Sequence, residues 1–230
     1  MRSILPEAAD VTAASPLIAR ETEKLAGRCV RVINNSFYQN EFKYIEPTND
    51  NVLKFVWFSQ NISYGRGLEV FITAIQKAKT NISLTLIGNL NEQFNKEWII
   101  GRSNIYILAP LSQEELHLEI AKYDVGLAIE LESADFNRSI ALTNKIFAYL
   151  QSGIYLLATD TPAQQNLLQQ NLENASICRQ NAESMAEAIN VLSNNLVEVR
   201  NSKKQRFESA KKLAFDYEKA KLIEIWSKAV

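Results

Sequence analysis

The chain reads as an α/β domain built on a doubly wound parallel sheet of about six strands, and three observations lead there. From Val52 onward, apolar runs of strand length alternate with helix-length amphipathic segments. The strand runs are continuously hydrophobic instead of alternating, as strands covered by helices on both faces must be. Capping signals fall at the joints: Ser112 with Glu115 forms a capping box, and Gly153 stands where a helix C-cap glycine belongs.

Taken in order, the first 50 residues differ from the rest. Asp10 to Ser15 (DVTAAS) reads as a short strand, Pro16 to Leu25 as a helix, and Arg31 to Ile33 as a second brief strand. A strand, a helix and a connector make no core by themselves. Residues 1–50 are therefore read as the end of a preceding domain plus a hinge, with NSFYQNEFKYIEPTNDN as the linker. If the chain is truncated there, the apolar face of Val11 to Leu25 is uncovered and calls for a partner or a second copy.

Residues 51–197 form the main, Rossmann-like domain. It runs VLKFVWFS, LEVFITAIQKA, ISLTLIG, NIYILAP, EELHLEIAKY, VGLAIE, TNKIFAYLQS, IYLLATD, PAQQNLLQQN and SMAEAINVLSNNL, strand and helix by turns. Residues 198–230 are a charged helical tract with apolar positions at Phe207, Leu213, Phe215, Ile223 and Trp226, expected to pack across the domain surface.

Composition sets limits. With 230 residues and 47% hydrophobic content the chain can bury a sizeable core. Lys+Arg 25 against Asp+Glu 26 gives a net charge of -1, so there is no global basic field for nucleic acid. Cys29, Cys178 and the single His117 have no metal-like spacing, so no metal site or cofactor is expected, and a reducing, cytoplasmic setting is. No apolar run nears the roughly 20 residues that span a bilayer, and MRSILPEAADV lacks the plan of a secretory signal. Membrane contact is expected to be peripheral at most.

Candidate site residues fall on one edge of the sheet. In SQNISYGRGLEVFI, Gly65 and Gly67 bracket Arg66 just before a helix, at the carboxyl edge where doubly wound sheets bind ligands. Arg66 is a candidate phosphate ligand; a glycine-flanked arginine that only caps a solvent loop is the open alternative. In ALTNKIFAYLQSG, Thr143 is the expected N-cap, leaving the N–H groups of Asn144 and Lys145 to face the cleft. A lysine in the first helical turn opposes the helix dipole by a few tenths up to about 1 kcal/mol unless an anion offsets it. His117 is expected on an exposed helix face, and Glu130, Glu132 and Asp135, after VGLAIE, as solvated acids within reach of a ligand.

FSQNISYGRGLEVFITAI, ISLTLIGN, LAPLSQEELHLEIAKYDVGLAI and ALTNKIFAYLQSGIYLLATDTPAQ, in that order, resemble the C-terminal, donor-binding domain of GT-B retaining glycosyltransferases, the group 1 or sucrose-synthase-like family. ADVTAASPLIARETEKL and VRVINNSFYQNEF are similar to the end of that family's N-terminal domain and its hinge. The resemblance implies a metal-independent enzyme that moves a sugar from a nucleotide-diphosphate sugar to a saccharide or lipid-linked acceptor, as in polysaccharide biosynthesis. Where the family places an Arg and a Lys on the donor diphosphate, this chain has Asn61 and Arg66. The family's two glutamates fall at Ile140 and Ala148, so both carboxylates are missing. A subset of relatives reads NKxFxYL, which assigns the diphosphate or sugar to Asn144 and Lys145 and leaves Glu132 and Asp135 as candidates for a displaced carboxylate.

Two functions follow from different premises. One is a glycosyltransferase donor domain working with a separate or lost N-terminal half. The other is a non-catalytic interaction module that kept the fold, favoured by the apolar residues at 140 and 148. A receiver-like signalling domain lacks the acidic cluster it needs after the first strand.

Overall fold

The computed structural model describes residues 5–132, 136–169 and 172–229. At its start β1 (Thr12–Ala13) and β2 (Arg31–Val32) pair in parallel around α1 (Pro16–Ala26). Ser15 caps α1 by accepting the Ile18 amide at 3.1 Å, Pro16 opens it, and Gly27 closes it at φ +66°. Val11, Ala13, Ala19 and Val30 bury one another, and Leu25 is exposed.

The main sheet holds β3 (Leu53–Ile62), β4 (Ile82–Leu90), β5 (Ile105–Leu108), β6 (Val125–Ala128), β7 (Tyr155–Thr159) and β8 (Ala175–Cys178). Their order is β5-β4-β3-β6-β7-β8, with every pairing parallel. The chain reverses its winding between β3 and β6, so the crevice at their carboxyl ends is the topological switch point. The helices are α2 (Leu68–Lys77), α3 (Glu92–Phe94) continued by a π-helical turn, α4 (Gln113–Ile120), α5 (Phe136–Ile140), α6 (Asn144–Gln151), α7 (Pro162–Leu168), α8 (Ala182–Asn194), α9 (Leu196–Asn201), α10 (Lys203–Ser209) and α11 (Phe215–Ala229). The box at Ser112 opens α4 as expected, its hydroxyl accepting the Glu115 amide at 3.3 Å.

Two apolar layers sandwich the sheet. Leu53, Phe55 and Trp57 of β3 point into one with Phe71, Met185 and Ile189, while Val56 points into the other with Ile146, Phe147 and Tyr149. β3 and β6 pair through Phe55–Val125 and Val56–Gly126 and then part. The next β3 amide on that side, Phe58 N–H, donates instead to Tyr149 Oη at 3.3 Å. Gly126 permits this close approach, because a Cβ there would lie 2.2 Å from Tyr149 Cγ.

The carboxyl-terminal tract is fastened by cations as much as by apolar contact. Arg200 clamps Asp124 with two bonds, Nε to Oδ1 at 2.8 Å and Nη2 to Oδ2 at 3.0 Å, and also reaches the Val52 carbonyl. One and two turns on, Lys203 Nζ donates to the Ala121 carbonyl at 2.5 Å and Arg206 Nε to the Gly153 carbonyl at 2.9 Å. Phe207 is buried, but Ile223 and Trp226, expected against the domain, are exposed.

His117 also departs from expectation. It is 1% exposed, stacked on Phe42 with ring centroids 4.2 Å apart and edge-on to Phe37, and Glu41 lies 3.4 Å away. The linker that looked free in the sequence folds onto α4 and covers this face. Burial pushes the imidazole below its ordinary pKa, with Glu41 opposing. Its role is packing of the linker.

Burial also pulls the Lys203 ammonium down to about 8. The folded state binds this proton less tightly than the unfolded chain, so the group's destabilisation is complete below pH 8 and vanishes as pH rises toward 10.5. Wild type should therefore gain stability relative to Lys203→Met across that window, by on the order of 3 kcal/mol. Urea unfolding of both proteins at about pH 7.5 and about pH 10 would show a constant difference if the ammonium carried no such strain.

Candidate functional site at the switch point

The loop between β3 and α2 is shaped by two glycines. Gly65 and Gly67 hold φ of +70° and +79°, where glycine alone sits without strain. At Gly67 a Cβ would also meet the Ile129 carbonyl oxygen at 2.4 Å, so the loop runs directly against the end of β6. It is pinned from two sides: Gly65 N–H donates to Glu69 Oε1 at 2.8 Å, and the Gly65 carbonyl accepts from Arg138 Nη1 at 2.5 Å. Arg66, between the glycines, is half-buried, and its guanidinium makes no hydrogen bond or ion pair among the described residues.

The start of α6 closes the other wall. Thr143 is the N-cap residue in extended conformation, yet its hydroxyl makes no capping bond, and its Oγ1 is buried without a partner among the described residues. The Asn144 side-chain oxygen accepts from Asn35 Nδ2 at 2.7 Å, so the linker holds it. Lys145 is 7% exposed. Its Nζ lies 3.4 Å from Glu130 Oε1 and 4.6 Å from the centre of the Trp57 ring.

This geometry crosses the sheet. Lys145 springs from the α6 layer, but Trp57 belongs to the opposite layer, and the ammonium reaches it where β3 and β6 have parted. Burial pushes the ammonium below its usual pKa; the Glu130 carboxylate opposes that push, and Arg66 and Arg138 add to it. The Lys145 ammonium and the Glu130 carboxylate thus face each other largely removed from water, with Arg66 and Arg138 within electrostatic range.

The other candidates scatter. Asn61 is exposed within β3, paired in register with Asn89, and precedes the loop. Glu132 is exposed, and its N–H donates to Gln180 Oε1 at 2.8 Å. Asp135 lies outside the described residues. Ile140 ends α5, its carbonyl accepting from Ser15 Oγ at 2.7 Å, and Ala148 is fully buried in the α6 layer.

Glu130 is the correction that matters. It was expected to be solvated and is 3% exposed, its main-chain carbonyl held by Thr159 Oγ1 at 2.6 Å. A signal existed in the sequence: Glu130 directly continues the apolar run VGLAI, with Ile129 itself buried. Trp57 looked like a core strand residue, and Arg138 gave no signal. Unfilled hydrogen-bonding capacity gathers on the same edge: Trp57 Nε1, Thr161 Oγ1 and Gln164 Nε2 are buried without partners among the described residues. Buried polar atoms are seldom left so unless a ligand or water completes them.

No family model and no curated protein matches the chain. Solved structures match in fold. Sucrose-phosphate synthase from Thermosynechococcus elongatus superposes with a TM-score of 0.78 at 14% identity, covering 99% of this chain and 60% of its own. A glycosyltransferase from Rickettsia africae ESF-5 gives 0.77 at 16% identity, covering 96% and 63%. HepE from Anabaena, in complex with UDP and glucose, gives 0.73 at 14% identity, covering 99% and 67%. The chain has the fold of the C-terminal domain of GT-B glycosyltransferases. It spans 60% of the first of these neighbours.

The two loop glycines give a graded test. Gly65→Ala meets nothing within 4 Å and should lose about 1 kcal/mol, from backbone strain alone. Gly67→Ala adds the collision with Ile129 and should lose a further 1–3 kcal/mol, roughly. Equal losses in chemical denaturation would mean that the loop does not press on β6.

Proposed function

We propose that this chain is the donor-binding part of a glycosyltransferase, holding the diphosphate of a nucleotide sugar in the crevice between β3 and β6. The observation that carries the reading is the convergence on that crevice of Arg66, Lys145 and Arg138, two of them acting on Lys145 in a site largely removed from water. Cations and helix-start N–H groups in such surroundings stabilise the charge that gathers on a departing diphosphate. HepE, which shares the fold, was solved with UDP and glucose, which supports a nucleotide sugar as the ligand class.

Asn144, Thr143 and the loop glycines shape the wall. Transfer also requires an acceptor oriented across a closed cleft, an effect worth about 7–11 kcal/mol. This chain matches 60% of the sucrose-phosphate synthase chain, and we assign the saccharide or lipid-linked acceptor to a further domain, attached or separate. A second reading, a nucleotide-binding module without turnover, draws on Ala148: it stands where the resembling family has its ribose-binding glutamate, and it is fully buried. Hydrolysis or transfer assays with UDP- and GDP-sugars separate the two readings, binding without any turnover favouring the second.

Calorimetric titration with UDP, GDP and their sugars tests both against no binding at all. Arg66→Ala should weaken the nucleotide that binds by about one to two decades, the worth of one charge-assisted contact at roughly 1.5–3 kcal/mol, and Arg66→Ala with Lys145→Ala should abolish measurable heat. No heat with any nucleotide, or an unchanged Kd in the double variant, rejects the proposal.

A further inference from the structure

The anion that offsets Lys145 in this structure is supplied by the chain itself. Glu130 sits at the end of β6 with its Oε1 3.4 Å from the Lys145 ammonium, and both side chains are more than nine-tenths buried. The contact is stretched, since a well-formed ammonium–carboxylate bond is roughly 2.7–2.9 Å long. Elsewhere in the same fold a buried pair is drawn tight, Arg200 holding Asp124 by two bonds of 2.8 and 3.0 Å. Glu130 and Lys145 are thus close enough to neutralise each other and are not locked together.

Three further features say which partner yields. The Trp57 ring lies 4.6 Å from the ammonium, so Lys145 keeps a cation–π contact when a carboxylate leaves it. The Glu130 main chain is anchored by Thr159, leaving the side chain to move without the strand. Arg66, within electrostatic range of Lys145, adds a second positive charge to the same gap, and a diphosphate carries more negative charge than Glu130 does.

Resting on the reading of the crevice as a diphosphate site, we propose that Glu130 is an internal counter-ion that occupies the Lys145 subsite when the site is empty and is displaced by the incoming diphosphate. Glu130 therefore sets a threshold for affinity: it keeps the buried ammonium compensated in the free protein and selects for ligands whose charge exceeds its own. A neutral nucleoside cannot displace it, and a diphosphate can. The position belongs to this chain's own sequence, because Glu130 is not at either place where the resembling family keeps a glutamate, 140 and 148 here.

The test compares wild type, Glu130→Gln, Lys145→Met and Glu130→Gln with Lys145→Met by calorimetry, using UDP, GDP, inorganic pyrophosphate and uridine as probes. Glu130→Gln keeps the shape of the side chain and removes its charge. It should bind pyrophosphate and the preferred nucleoside diphosphate about tenfold more tightly than wild type, leave uridine unchanged, and lose most of that gain in the Lys145→Met background. Should Glu130→Gln not fold, as thermal unfolding would reveal, Glu130→Asp draws the carboxylate back from the ammonium and should tighten binding by a smaller factor. Equal or weaker diphosphate binding by a folded Glu130 variant, with wild type still binding, overturns the counter-ion role and leaves the diphosphate site standing. No binding of any phosphate by wild type or variant overturns both.

Discussion

Tyr149 lies where a side chain on residue 126 would be, and much of the crevice depends on that contact. With only a hydrogen at Gly126, α6 settles directly on β6, and the fully buried Tyr149 ring fills the space. Its hydroxyl then accepts the Phe58 amide, the β3 group left unpaired where β3 and β6 diverge. One helical turn before Tyr149 comes Lys145, so the docking that satisfies the sheet also delivers an ammonium to the gap between the strands. A methyl group at position 126 would lift the helix, and lysine, tryptophan and glutamate would no longer meet.

The two ends of the sheet treat buried charge in opposite ways. At the amino end, Arg200, Lys203 and Arg206 point from the carboxyl-terminal helices at Asp124 and at carbonyls of Ala121, Val52 and Gly153, with bond lengths from 2.5 to 3.0 Å. Those groups fix one element to another, and breaking such a pair strands a charge in the interior. At the carboxyl end, the buried ion pair is stretched to 3.4 Å, Arg66 makes no bond among the described residues, and several buried polar atoms wait without partners. The clamps at the amino end therefore hold one arrangement, whereas the looser groups at the carboxyl end have bonding capacity left for a ligand or water.

How much of this the sequence shows follows from how local each signal is. Five strands of the main sheet could be read because they are unbroken apolar runs, whereas β8, the four residues Ala175–Cys178, is too short and mixed to announce itself. Arg66 and Lys145 could be picked out because glycines and a helix start marked them. His117 and Glu130 were misplaced for one shared reason: burial by a distant segment leaves no periodic trace. Phe42 covers His117 from 75 positions away, and Lys145 covers Glu130 from the next helix but one. Arg138 lies on a helical turn of five residues, shorter than any pattern of period 3.6 can reveal.

The lysine at the head of α6 ties the crevice to the helix that forms its wall. In the sequence it sits at the wrong end of a helix dipole, which implied an anion without saying whose. The fold answers that the resident anion is Glu130, placed one residue beyond a buried strand run and facing the same gap. That answer changes the meaning of Ala148 and Ile140. A crevice that already holds one carboxylate against its buried lysine has less use for others, because each added negative charge would compete with the same ligand for the same cations. Apolar residues at 148 and 140 leave the positive potential of Arg66, Arg138 and Lys145 opposed at close range by Glu130. If the crevice holds a nucleotide sugar, as proposed above, they weaken the hold on its ribose and preserve the pull on its phosphates.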